Sequence, residues 1–134
     1  YLKMKLNNFL EIIKNKESKQ IGVDFDGVIH KSSKGFHDGT IYDEPIDGAV
    51  SSIKILNESL GYDLVIYTCK ANPDRPLIDG KTGIELIWEW LDKYGIKENI
   101  KDVTYTKPNA VAYIDDKAIK FDNWNDMILN FIGE

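Results

Sequence analysis

One cysteine, two histidines and no long apolar run say more about this chain than anything it has in excess. The single Cys69 excludes an internal disulfide and suits a reducing compartment, so a cytoplasmic location is expected. His30 and His37 have no cysteine near them in sequence, so no zinc-type ligand spacing exists. No stretch approaches the roughly 20 apolar residues of a membrane span, and nothing resembles a signal peptide. Repeats and linkers are missing too. The chain opens on Tyr1, and Met4 is expected as its native start.

What is present fits one domain. At 134 residues and 43% hydrophobic, there is material for one core, and 29% charged residues argue against disorder. The net charge of −5 is unevenly spread: residues 1–20 carry five lysines against two glutamates, which leaves the remainder strongly acidic. Such a chain is a poor non-specific nucleic-acid binder. Acids converging on one site would need a cation before any phosphate approached.

Leu2, Leu6, Phe9 and Ile13 form a helical stripe, so residues 1–19 are expected to be an amphipathic helix beside the core, its lysines facing water. Residues 20–134 are expected to be a single domain. Gln20–Phe25 reads as a buried strand, and residues 30–46, with Gly35, Gly39 and Pro45, as an irregular flap. A helix is predicted from Asp47 to Leu60 with Ala49, Ile53, Leu56 and Leu60 inward and Gly61 as its stop. Asp63–Thr68 is a second apolar strand. Thr82 and Glu85 form a capping box for a helix to Tyr94 whose core face is Ile84, Ile87, Trp88 and Leu91. Strands follow near 102–105 and at 111–114, with a further edge strand at 118–121. A last helix is expected to bury Trp124, Met127, Ile128 and Phe131. Apolar strands alternating with amphipathic helices predict an α/β fold: three Rossmann-like layers, helices on both faces of a mostly parallel sheet of about five strands.

Ligands of parallel sheets sit beyond the carboxyl ends of the strands. The first strand ends in Asp24-Phe-Asp26-Gly27, where Gly27 leaves backbone N–H groups open to an anion; the second ends in Thr68. Lys107-Pro108 precedes the fourth strand, which ends in Asp115-Asp116. Each signature alone has an ordinary reading: an acidic turn, a β-favouring threonine, a surface lysine, a helix cap.

Together, in this order, they resemble the haloacid dehalogenase superfamily of phosphohydrolases, whose pattern is DxDGx, a Thr or Ser, a Lys and an acidic pair. The resemblance covers residues 21 to 121 and implies a Mg²⁺-dependent phosphomonoester hydrolase. It implies that Asp24 is the nucleophile, forming an aspartyl-phosphate, and that Asp26 protonates the leaving oxygen and then activates water. Thr68 would hold a phosphoryl oxygen and Lys107 would offset the acidic charge. Asp24, Asp26 (through its carbonyl), Asp115 and Asp116 would make up the metal site.

The gaps at 29–45 and 69–106 are too short for the cap domain many relatives insert, so the chain resembles a capless member. The resemblance implies a large substrate, such as phosphorylated protein or a nucleic-acid end, or a lid lent by a second copy of the chain, while some capless relatives hydrolyse nucleotides or sugar phosphates. Gly27, Lys31, Lys70 and Arg75 are the expected substrate contacts, on the flap and on the loop after Thr68. His30 and His37 are expected at the surface and Cys69 in packing. A signalling receiver domain uses similar residues but places its acidic pair after the first strand; the order here is reversed. A catalytically silent phosphate- or nucleotide-binding protein is the remaining alternative.

Overall fold

The structure, a computed structural model, describes residues 19–132. The predicted N-terminal helix lies outside the described residues. Four strands form one parallel sheet: β1 (Gln20–Asp24), β2 (Asp63–Tyr67), β3 (Asp102–Thr104) and β4 (Ala112–Ile114), in the order β3-β2-β1-β4. Among the described residues the sheet therefore has four strands, not five. Residues 118–121 take no strand pairing, which corrects that expectation.

Ile21, Val23, Leu64, Val65 and Ile66 bury β1 and β2 on both faces, as covered parallel strands require. The register sets Asp24 against Tyr67 and Val23 against Ile114, so β1, β2 and β4 end at one edge. The chain leaves β1 toward β2 and β3, then returns to β4 on the other side. That reversal puts a switch point between β1 and β4, where such sheets open a crevice.

The first crossover carries α1 (Ala49–Lys54), which runs on as a π-helical turn over Ile55–Ser59. Gly61, at φ 76°, ends it as expected. Ile53 is buried and Ala49 and Leu56 pack on the core, but Leu60 is exposed. The second crossover carries α2 (Gly83–Lys93). Both halves of its predicted capping box are present: Thr82 Oγ1 accepts from the Glu85 N–H and Glu85 Oε1 accepts from the Thr82 N–H. Its Ile87 and Leu91 are fully buried, and Trp90 joins them, its indole N–H donating to the Asp43 carbonyl at 2.9 Å.

The last helix, α3 (Trp124–Ile132), departs from expectation. Trp124, Ile128 and Phe131 are exposed and Met127 is only half-buried, because no described element covers that face. No helix among the described residues is long and apolar enough to cross a membrane.

Candidate active site

The carboxyl edge of β1 ends in a tight turn. Gly27 sits at φ 85°, and a Cβ there would collide with Asp116 Oδ2. The left-handed backbone favours glycine here, and the exposed Asp116 carboxylate would have to shift to admit a side chain. The turn sets Asp24, half-buried, opposite Asp115 and Asp116 at the end of β4. One oxygen of each lies within 4.8 Å of the others.

Asp24 Oδ1 accepts the Phe25 N–H at 2.8 Å. Asp115 Oδ2 accepts the Tyr67 hydroxyl at 3.1 Å and its Oδ1 the Lys117 N–H at 2.8 Å. The Asp24 carboxyl is pushed up to about 6, first by burial and then, against the Phe25 N–H, by the charges of Asp115, Asp116 and Asp26. The Lys117 N–H and, against some burial, the Tyr67 hydroxyl hold Asp115 below the usual carboxylate range. Burial and the bond to Asp115 push the Tyr67 phenol up to about 12. Three carboxylates face one another here, and no lysine or arginine among the described residues forms an ion pair with them. An all-oxygen set at this spacing fits a hard divalent cation: oxygens about 2.1 Å from one ion stand roughly 3–4.2 Å apart, a difference small side-chain rotations remove.

Asp26 is brought to the same cavity, and its side chain stands outside that triad, where only its backbone carbonyl was expected to meet the metal. Both of its oxygens are engaged. His30 Nδ1 donates to Oδ1 at 2.8 Å and Lys70 Nζ to Oδ2 at 2.5 Å. Burial would raise its pKa, but these two donors and the Lys70 charge outweigh that and hold the carboxyl below its ordinary value. Thr68, buried in the extended residue after β2, also lines the cavity; its Oγ1 accepts the Lys70 N–H at 3.2 Å.

The cavity holds about 440 Å³, within the range of small-molecule sites. Asp24, Asp26, Gly27, Thr68, Asp115 and Asp116 all line it, as the sequence led one to expect.

Several expected contacts are placed elsewhere. Lys70 is not a rim cation but a buried one, because its ammonium finds Asp26 across 44 residues of chain. His30 is not at the surface: it is wholly buried beside Phe25, Tyr42 and Trp90. Lys107 lies outside the cavity lining, its Nζ 4.2 Å from the Tyr113 ring centroid. Lys31 pairs with Glu44 at 3.5 Å, away from the cavity. Cys69 is not packed away but exposed in the lining.

No sequence signal singled out Ser32, Gly35, Phe36 or Lys117, which complete the wall. Phe36 keeps 44% of its surface exposed at the mouth, with the Arg75 guanidinium 4.0 Å from its ring centroid. No family model, curated protein or solved structure matches the chain, so these residues alone carry the case for its chemistry.

Proposed function

We propose that the chain is a Mg²⁺-dependent phosphomonoester hydrolase of the haloacid dehalogenase type, with a three-layer Rossmann-like fold and no cap domain. What supports this most is one observation: Asp24, Asp115 and Asp116 converge within 4.8 Å at adjacent parallel strand ends, in a cavity shared with Asp26 and Thr68.

Asp24, Asp115 and Asp116 would hold Mg²⁺, which supplies positive charge against which a phosphoryl group can approach three acids. An Asp24 oxygen attacks phosphorus, a new P–O bond forms, and the ester P–O bond breaks. Asp26, whose carboxylate form Lys70 and His30 favour, takes up a proton from solvent and passes it to the departing oxygen. In the second half Asp26 takes a proton from water as the water oxygen attacks phosphorus, freeing phosphate and regenerating Asp24. The Thr68 hydroxyl orients a phosphoryl oxygen; the N–H groups of Gly27 and Val28, expected to be open to an anion, donate instead to the His30 and Phe25 carbonyls.

The exposed Phe36 ring favours a substrate whose leaving group carries a flat base, such as a nucleotide or a polynucleotide terminus, and the Arg75 guanidinium beside it suits the further phosphates of the latter. The test is phosphate release from p-nitrophenyl phosphate, nucleotides and 3′- or 5′-phosphorylated oligonucleotides, with Mg²⁺ or with EDTA. Release that EDTA and Asp24→Asn both abolish is expected. A folded chain that releases nothing refutes the reading, and tight nucleotide binding without turnover by calorimetry would favour a silent binding protein.

A further inference from the structure

Lys70 is the most unusual side chain outside the acidic triad: it sits in a polar loop yet is 1% exposed. An ammonium gives up much hydration on burial and persists only when paired. Its partner is Asp26, and its backbone is fixed as well. Thr68 Oγ1 accepts its N–H, and its carbonyl occupies the space over Gly83, where a Cβ would overlap it.

The other Asp26 oxygen belongs to His30. The Asp43 backbone N–H donates to His30 Nε2 at 3.0 Å, which places the ring proton on Nδ1, aimed at Asp26. With both oxygens held, the carboxylate has one orientation, presented to the cavity beside Asp24. Lys107, by contrast, makes a cation–π contact to Tyr113 and no hydrogen bond or ion pair among the described residues.

We propose that Lys70 is the positioning residue for Asp26 and supplies the fixed positive charge of the site, with His30 as the second clamp, and that Lys107 fills neither role. This rests on the phosphohydrolase reading above. Lys70 does not line the cavity, so it acts through Asp26 on the departure of the leaving oxygen. An alkoxide leaving group needs that proton; p-nitrophenolate leaves largely without it.

The test compares Lys70→Met, Lys70→Arg, Asp26→Asn, the Asp26→Asn/Lys70→Met double variant and Lys107→Met on glycerol phosphate and p-nitrophenyl phosphate, with Mg²⁺. Lys70→Met should lower kcat on glycerol phosphate by about 100-fold and on p-nitrophenyl phosphate by about 10-fold or less, with little change in KM. Arginine should restore part of the loss, and the double variant should be no slower than Asp26→Asn alone. Lys107→Met should lose less than Lys70→Met. Equal loss on both substrates, additive effects in the double variant, or a larger loss from Lys107→Met overturns the assignment. If Lys70→Met does not fold, the double variant, which removes both buried charges, and Lys70→Arg carry the comparison. Wild-type turnover with no leaving-group dependence in these variants sinks the Lys70 role alone. No wild-type turnover on either substrate sinks the hydrolase reading and this role with it.

Discussion

Asp24→Asn should stabilise the metal-free protein while destroying its function. The carboxyl at 24 is pushed from 3.8 to about 6, so its ionised form is disfavoured in the folded state. The sign follows from proton linkage: a raised carboxyl favours folding below pH 3.8, and that contribution is lost as pH rises through about 6. Above that range the folded protein carries the full cost. At about 1.4 kcal/mol per pH unit the cost is about 3 kcal/mol. Because the side chain is only half-buried, solvent screening reduces this to about 1–1.5 kcal/mol. Asparagine removes the charge and can still accept the Phe25 N–H. In EDTA at pH 8 the variant should therefore melt about 3–6 °C above wild type. Near pH 4 the gap should close, since wild-type Asp24 is then protonated. Comparing variant with wild type cancels the opposite pH trends of Asp26 and Asp115, whose pKa values are lowered. Mg²⁺ should stabilise wild type, by about 1.4 kcal/mol at ten times its dissociation constant, and asparagine at 24 should lose most of that gain. A pH series of thermal melts with and without the metal measures all of it. Asparagine melting at or below wild type at pH 8 in EDTA would refute the account of a strained acidic cluster.

Gly27→Ala combines a left-handed backbone with a collision on Asp116, so thermal melts should show a loss of about 1–3 kcal/mol. A Mg²⁺ titration by calorimetry should show affinity weakened about tenfold or more; unchanged affinity would separate the turn from the metal site. Phe36→Ala should raise KM for nucleotides about 5–10-fold, from about 1 kcal/mol or more of lost stacking, and leave glycerol phosphate unaffected in steady-state assays. Cys69, exposed in the cavity wall, should react with N-ethylmaleimide and block turnover, with phosphate slowing the reaction and Cys69→Ser resisting it.

Four of the strands, the capping box and the gathering of Asp24, Thr68, Asp115 and Asp116 were legible because they depend on local pattern and on one rule of parallel sheets. Lys70 and His30 were not. A lysine among Asn, Pro and Asp residues reads as solvated, and only a partner 44 residues earlier in the chain buries it. His30 and Asp26 stand four apart across a turn, a spacing that carries meaning only once the turn is seen to close. The ring's apolar box comes from Phe25, Tyr42 and Trp90, which no window of sequence holds together. The last helix failed for a different reason. A helical stripe shows that a face is apolar, not that a neighbour is present to cover it.

The hydrogen bonds around Asp43 and Glu44 fasten both roots of the flap. Lys31 N–H reaches the Glu44 carbonyl, Ile46 N–H the Ile29 carbonyl, and the Trp90 indole the Asp43 carbonyl. Between them the tip, residues 32–41, carries Ser32, Gly35 and Phe36 of the cavity wall, while Tyr42 packs against the His30 ring. Such an arrangement makes the tip an exchangeable cassette: grafting another sequence between the fastened roots would retune which molecules are accepted while the reacting groups beneath stay where they are.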